Sequence, residues 1–229
     1  MPAIEAALDL GVEMIEFDFR VTRDDEYVLI HDATARRTTA GSPGDLGDTD
    51  IAELTLEQLG SLDVGSWHRS FGQSTQIPSL RQALEAMRGR TVPLLERKAG
   101  DAAPLVRLLQ EMSLIEDVMV SSFDLDWLTE LHRLAPAITI CALWDEVIDD
   151  DAIEQALATG ASAFHGNARR VSPEAIDALR ERGLLSYAYT VNEDLGLLGA
   201  GPVGLDGVTT NVPARLLELR RAGLVTRRP

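Results

Sequence analysis

Short apolar runs alternate with amphipathic segments from Pro78 to the end of the chain. Each apolar run is brief and bounded by polar residues or glycine, which is typical of a buried strand, and the intervening segments carry apolar residues at helical spacing. The pattern predicts strands at 92–97, 118–123, 138–144, 163–165, 185–191 and 207–210, and helical segments at 79–88, 102–112, 124–133, 151–158, 173–182, 193–200 and 213–222. This alternation predicts repeated strand–helix units around a parallel sheet.

The front of the chain follows a different pattern. A short helix at 3–10 precedes a strand at 14–19 and an apolar run at 27–31. Residues 33–80 are polar and rich in turn formers, with one short helix predicted at 54–59. Because this segment holds too few apolar residues for a core of its own, we expect it to be an insertion within a single domain of residues 1–229.

The number of strands defines the predicted fold. Seven strands fit the parallel pattern, counting the one at 14–19, whereas a closed TIM (β/α)₈ barrel has eight. The chain also begins with a helix. The sequence therefore predicts an α/β barrel of the TIM (β/α)₈ type that is missing its first strand and carries a small insertion after the first strand present.

The strand at 14–19 places two carboxylates on one face. Alternate side chains of a strand share a face, so Glu16 and Asp18 point one way while the apolar residues around them point the other. Neighbouring carboxylates on a buried strand repel each other, and burial makes their ionised forms costly. A hard divalent cation, by contrast, prefers several oxygen ligands. The pattern therefore favours a cation site.

Two further segments carry chemistry. The run at 27–31 ends at His31, and a histidine just past a strand can transfer protons near neutral pH. Glu96 and Lys98 lie at the end of the next strand, and Lys98 is the single lysine among 21 basic residues. Active sites of these barrels lie at the C-terminal strand ends, so we expect a metal-assisted reaction on an anionic substrate. The alternatives are a polar hairpin with an exposed His31, and a surface ion pair between Glu96 and Lys98.

The composition limits the classes of binding partner and the cellular locations that we expect. The formal charge of −16 argues against nucleic acid and against an anionic membrane surface. No apolar run approaches the roughly 18 residues of a membrane span. Cys141, the only cysteine, excludes an internal disulfide and is expected to be a buried small apolar residue. We expect a cytoplasmic location, since no signal peptide follows Met1; a signal peptide that once preceded Met1 is the alternative.

Several motifs resemble those of the glycerophosphodiester phosphodiesterase family, a group of metal-dependent TIM-barrel enzymes. The family patterns are "ALELGADxIExD", "HDxxLxRTT", "DAGSW", "IPTL", "ExK", "SF", "WTVN" and "VDGIxTDxP". The segments that resemble them, in the same order, are 7–18, 31–39, 63–67, 77–80, 96–98, 122–123, 189–192 and 205–211. Several matches in the right order are far more specific than any one of them.

The resemblance implies a reaction and the residues that perform it. The reaction is the hydrolysis of glycerophosphodiesters, small-molecule substrates, to sn-glycerol 3-phosphate and an alcohol. His31 is implied as a general acid and base that protonates the leaving alcohol, and Lys98 as a contact of the phosphate. Tyr189 takes the place of a family Trp that lines the substrate pocket. The implied ligands of one divalent cation, Mg²⁺ or Ca²⁺, are Glu16, Asp18 and Glu96.

The resemblance departs from the family at the front of the chain. Family members begin with a strand carrying His-Arg-Gly and continue with Pro-Glu-Asn-Thr. These motifs supply a second catalytic histidine, a substrate arginine and a further carboxylate ligand, and the likeness here starts at Met1, after both. We therefore expect little activity from this chain, because losing a general acid or base costs about 10²–10⁴-fold in rate.

Two explanations of that departure compete, and a third interpretation concerns the substrate. The natural protein is longer, or the chain is a catalytically inactive barrel that binds phosphate or metal without turnover. A third interpretation keeps the enzyme but changes the substrate, since phospholipase-D-like toxins and phosphoinositide-cleaving enzymes share related barrels. The open edges of a barrel that lacks a strand also allow pairing with a second chain, so an oligomer is expected to be possible.

Overall fold

The computed structural model describes residues 1–39, 45–69 and 71–225. Its helices are α1 (Pro2–Leu10), α2 (Asp45–Asp48), α3 (Leu56–Leu59), α4 (Leu80–Met87), α5 (Ala102–Glu111), α6 (Leu125–Leu134), α7 (Asp150–Ala158), α8 (Pro173–Glu181), α9 (Asp194–Val203) and α10 (Pro213–Arg221). Its strands are β1 (Met14–Val21), β2 (Tyr27–Leu29), β3 (Val92–Arg97), β4 (Met119–Ser122), β5 (Thr139–Trp144), β6 (Ala163–Asn167), β7 (Leu185–Tyr189) and β8 (Gly207–Val208). Residues 40–44, part of the turn-rich segment predicted from the sequence, lie outside the described residues.

These elements form two compact units, Met1–Leu108 and Leu109–Pro229. In the first unit β1 pairs antiparallel with β2 and parallel with β3. In the second unit β4 to β8 pair in parallel and in chain order. The predicted alternation of helices with parallel strands is therefore confirmed, while the single domain of residues 1–229 stays a prediction. Within the described ranges, no helix combines the length and apolar character that a membrane span requires.

Strand β1 buries one face only. Ile15, Phe17 and Phe19 are 9%, 9% and 0% exposed, and the residues between them are partly exposed. This is the two-residue alternation that the sequence predicts for a strand with one apolar face. Glu16 and Asp18 therefore lie together on the face opposite the buried aromatic rings.

Strands β5 and β6 of the second unit are buried along most of their length. Ile140, Cys141 and Ala142 are fully buried in β5, and Phe164 is fully buried in β6. A parallel sheet covered on both faces needs continuous apolar runs, which explains the pattern in the sequence. Cys141 is the buried small side chain that was predicted.

Several predicted element ends are wrong. Strand β7 ends at Tyr189 instead of 191, and β8 ends at Val208 instead of 210. The helix predicted at 54–59 begins only at Leu56, because the side chain of Thr55 accepts a hydrogen bond from the backbone N–H of Gln58 and so caps the helix. The residues before it form a 3₁₀ turn at Ile51–Glu53.

The inserted segment packs against β2. The backbone N–H of Leu29 donates to the carbonyl oxygen of Pro78 at 3.0 Å, which returns the segment to the strand that it left. The segment thus contributes to the core of the first unit. The buried cluster consists of Ala35, Ile51, Leu54, Leu59 and Ile77 from the segment, and Val28 and Ile30 from β2 and its end.

Leu59 provides a test of this packing. Its side chain is fully buried, so Leu59→Ala removes apolar contacts and leaves a cavity. We expect the free energy of unfolding, measured by urea denaturation, to fall by about 2–5 kcal/mol. Glu57→Ala, at an exposed position on the same helix, is the control and should change it little. If Leu59→Ala changed the free energy of unfolding as little as Glu57→Ala, the segment would not unfold together with the rest of the first unit.

Candidate active site

The register between β1 and β3 gathers three carboxylates. Asp18 is the direct register partner of Glu96, and Glu16 lies two residues earlier on the same face of β1. One carboxylate oxygen from each of the three residues lies within 4.8 Å of the other two. The structure therefore brings together all three of the ligands predicted from the sequence.

Lys98 joins this cluster. Its backbone N–H donates to the carbonyl oxygen of Phe19 at 3.0 Å, so pairing with β1 continues past the end of β3. Its Nζ lies 3.3 Å from Oδ1 of Asp18 and also contacts Oε1 of Glu96. The side chains of Lys98 and Glu96 are only 18% and 14% exposed. The alternative of a surface ion pair is therefore wrong.

Burial and the charges of neighbouring groups shift the pKa values of the cluster. Burial, together with the negative charges of Asp18 and Glu96, raises the pKa of Glu16 to about 8. Burial also raises the pKa of Glu96, although the hydrogen bond and charge of Lys98 oppose that shift. Burial alone would lower the pKa of Lys98, but the hydrogen bond that Lys98 donates to Glu96 and the charges of Glu96 and Asp18 raise it.

The cluster fits a divalent cation. Oε1 of Glu16 is buried and accepts no hydrogen bond within the described part of the chain, which leaves an oxygen lone pair for a ligand. Once Glu16 also loses its proton, three ionised carboxylates against one ammonium leave two negative charges, the amount that one divalent cation neutralises. All of the donors are carboxylate oxygens, the ligands that Mg²⁺ and Ca²⁺ prefer.

His31 shares a cavity with these residues. The cavity has a volume of about 350 Å³. The hairpin formed by β1 and β2 does leave the side chain of His31 57% exposed, as the alternative interpretation expected. The residues lining the cavity nevertheless include two of the carboxylates, so the hairpin and the predicted site occur together. The lining residues are Glu16, Phe17, Asp18, Leu29, Ile30, His31, Thr38, Val64, Ile77 and Pro78.

Two charged residues lie beside His31 for which the sequence predicted no function. Asp32 accepts a hydrogen bond from Nδ1 of His31 at 2.8 Å and from Nε of Arg37 at 2.6 Å. In the sequence, Asp32 directly follows His31, and Arg37 lies five residues after Asp32. Neither spacing belongs to a regular helix or strand, so periodicity could not reveal the contact.

Tyr189 belongs to the second unit, at the end of β7. Its hydroxyl donates to the carbonyl oxygen of Trp144 at 3.0 Å and lies 3.2 Å from Oδ1 of Asp145. Its ring makes edge-to-face contacts with Phe123 and His165, at centroid distances of 6.2 and 5.0 Å. These contacts fix the ring that resembles the family's Trp, and its role in binding substrate stays a prediction.

His165 is a buried histidine at the end of β6. Its Nε2 lies 3.2 Å from Oγ1 of Thr209, and its side chain packs between Tyr187 and Tyr189. Burial lowers the pKa of His165 from 6.5 to about 4. At neutral pH this side chain is therefore an uncharged part of the second unit's interior.

Comparison with known proteins decides the family. A model of the glycerophosphoryl diester phosphodiesterase family matches residues 1–215. The chain belongs to this family. The resemblance read from the motifs is thereby confirmed, and with it the prediction of a phosphoric diester hydrolase.

Named relatives span nearly the whole chain. A glycerophosphodiester phosphodiesterase of Caldanaerobacter subterraneus is 27% identical in a 228-residue alignment that covers 96% of this chain and 91% of that relative. A putative glycerophosphodiester phosphodiesterase of Bacillus subtilis, YhdW, is 28% identical over 94% of this chain and 89% of its own length.

Solved structures show the fold. A phosphodiesterase of Oleispira antarctica, solved with the product sn-glycerol-3-phosphate, superposes with a TM-score of 0.84 at 23% identity, over 95% of this chain and 89% of that one. A putative glycerophosphoryl diester phosphodiesterase of Silicibacter pomeroyi superposes with a TM-score of 0.82 at 22% identity, over 98% and 88%. The predicted TIM-barrel class is confirmed.

The buried histidine makes stability depend on pH. The pKa of His165 is about 4 when folded and 6.5 in its ordinary state, so the unfolded chain binds the proton more tightly. Its contribution to stability is therefore intact above pH 6.5 and is lost as the pH falls towards 4. At pH 5 the loss should be about 2 kcal/mol relative to pH 7.5.

Urea denaturation at pH 7.5 and pH 5 measures this loss in the wild type and in His165→Gln, which cannot gain the proton. The difference between the two pH values should be smaller in the variant by that amount. The same pH dependence in both proteins would contradict the assignment.

Proposed function

We propose that the chain hydrolyses glycerophosphodiesters to sn-glycerol 3-phosphate and an alcohol, using a divalent cation, Mg²⁺ or Ca²⁺, bound by Glu16, Asp18 and Glu96. The observation that carries the proposal is the cluster of three carboxylates whose oxygens lie within 4.8 Å of one another beside Lys98 and His31. The family and the names of the relatives support the substrate class.

Each residue has a part that its position supports. Hydrolysis forms a phosphorus–oxygen bond to water and breaks the phosphorus–oxygen bond to the alcohol. The attacking water loses a proton to the surrounding solvent, and the alcohol gains one. His31, which lines the cavity, donates that proton to the leaving oxygen in this proposal. Lys98, held beside the carboxylates, binds a phosphate oxygen. Tyr189 is assigned a contact with the substrate through the family resemblance.

The proposed cation would stabilise negative charge on the phosphate. When bound, it neutralises phosphate charge and polarises the phosphoryl oxygens. The remaining catalytic work belongs to the side chains: the carboxylates fix the ion's position, and Lys98 offsets part of their charge. Such positioning and charge compensation account for most of the rate enhancement in phosphoryl transfer.

Cation dependence can be measured with and without turnover. Release of sn-glycerol 3-phosphate from glycerophosphocholine should occur with Mg²⁺ or Ca²⁺ and stop in EDTA. Independently of activity, a cation at 100 times its dissociation constant should stabilise the fold by about 2.7 kcal/mol, seen as a higher melting temperature. Asp18→Asn and Glu96→Gln should remove this shift, because each deletes a ligand charge. Glu26→Gln, at an exposed position after β1, is the matched control.

The outcomes separate the competing interpretations. Turnover that persists in EDTA would contradict the metal-dependent mechanism. Cation binding without turnover would support the inactive, metal-binding barrel. A rate equal to that of the Caldanaerobacter subterraneus relative would contradict the low activity expected from the sequence.

Removal of His31 tests its role as a proton donor. His31→Asn should lower kcat on glycerophosphocholine by about 10²–10⁴-fold, because the leaving alcohol loses its proton source. The cation-dependent rise in melting temperature should persist, since His31 is not a ligand. His68→Asn, at an exposed histidine of the same unit, is the control. Wild-type kcat in His31→Asn would assign the proton transfer to another group.

A further inference from the structure

The carboxylate of Asp32 is shared between two cationic or proton-donating groups. Oδ1 lies 2.8 Å from Nδ1 of His31, and Oδ2 lies 2.6 Å from Nε of Arg37. Each oxygen therefore has one strong partner, and the carboxylate cannot rotate without losing both. The result is a chain of hydrogen bonds that runs from Arg37 through Asp32 to the imidazole ring.

The backbone on both sides of this chain is anchored. Arg20 on β1 donates from Nε to the carbonyl oxygen of His31 at 2.9 Å, which ties the histidine to the neighbouring strand. Arg37 extends from a turn in which the backbone N–H groups of Thr38 and Thr39 both donate to the carbonyl oxygen of Ala35 at 3.0 Å. Ala35 is fully buried. The contacts of Asp32 therefore connect two fixed points of the first unit.

We propose that Asp32, held by Arg37, is the positioning residue that fixes the tautomer and the ring orientation of His31. The proposal rests on the proposed function, in which His31 is the proton donor. With Nδ1–H bound to Asp32, Nε2 is the nitrogen that exchanges the proton with the substrate. Asp32 also stabilises the positive ring that donates this proton, and Arg37 keeps Asp32 ionised and correctly turned.

The charge state of Asp32 agrees with this role. The hydrogen bond from Arg37, and after it the hydrogen bond from His31, lowers the pKa of Asp32 to about 2. The carboxylate is therefore ionised at neutral pH. An acceptor that stays negative holds the Nδ1–H tautomer of the neutral ring.

A purely structural role explains these contacts less well. The side chains of His31 and Arg37 are 57% and 66% exposed, and ion pairs at such exposure stabilise proteins little. The neighbouring pair Arg36–Asp48 is also an arginine–aspartate ion pair, with Nε and Oδ1 3.3 Å apart and side chains 75% and 51% exposed. Within the described part of the chain, this pair has no hydrogen bond or ion pair with a histidine. It is a built-in control for the loss of a surface ion pair.

Four substitutions test the proposal. Asp32→Asn should lower kcat on glycerophosphocholine by about 10²-fold with little change in KM, because the ring loses its orientation while substrate binding stays intact. Asp32→Glu, which keeps a carboxylate, should recover part of kcat. Arg37→Gln should lower kcat in the same sense but less. Arg36→Gln, the matched control one residue away, should leave both constants unchanged.

Imidazole ¹⁵N–¹H correlation spectra give a readout that does not depend on turnover. In the wild type the neutral ring of His31 should carry its proton on Nδ1, and in Asp32→Asn the proton should shift towards Nε2. Circular dichroism and melting temperature verify that each variant is folded. A wild-type tautomer together with wild-type kcat in Asp32→Asn would overturn the proposal.

Two other results have equally definite meanings. If Arg37→Gln raises KM and leaves kcat and the tautomer unchanged, Arg37 binds the phosphate directly and its part in the proposal is wrong. If the wild type shows no turnover, the proposed function fails, and the tautomer shift alone decides whether Asp32 positions His31.

Discussion

The pairing of Asp18 with Glu96 across two parallel strands is the constraint on which the site depends. A strand that slips by one residue turns every side chain to the opposite face. Such a slip of β3 would bury Glu96 and Lys98 and expose Leu95, which is fully buried. The apolar core therefore holds the register, and the register holds the carboxylates together.

The same pairing holds acidic side chains close together, which is electrostatically unfavourable. Like charges held within 4.8 Å in a partly buried place repel, and burial removes the water that would screen them. Lys98 offsets one of the three charges at the cost of its own desolvation. With Glu16 ionised, two negative charges remain, and the proposed divalent cation would neutralise them, since a small ion accepts several oxygens at once.

The sequence predicted those parts of the molecule that repeat. Alternation of apolar and polar residues identified β1 and the shared face of Glu16 and Asp18, and the regular spacing of apolar runs identified the parallel strands. Parts without a period were not predictable in the same way. Ile51, Leu54, Leu59 and Ile77 form one cluster only after the inserted segment has folded back on β2, because no single helical or strand period connects all four.

The predictions of the strand ends were wrong for a related reason. Backbone pairing, not apolar character, decides where a strand stops, so the apolar residue Val191 was assigned to β7 although pairing with β6 ends at Tyr189. The contact of Asp32 with Arg37 was missed because it forms in a turn, where no face or period links the two residues. Functional contacts of this kind become visible only when the backbone path is known.

The two halves of the proposed site use opposite dielectric environments for different chemistry. The carboxylates and Lys98 lie where water is partly excluded, so their charges act strongly on an ion or a phosphate. His31 lies at the surface, where a proton lost to the substrate can be replaced from water. A buried histidine such as His165 would be held neutral and could not serve as that donor. The exposed position of His31 leaves its orientation unrestrained by packing. The hydrogen bond from the ring to Asp32, which Arg37 holds in turn, restricts the ring without burying it.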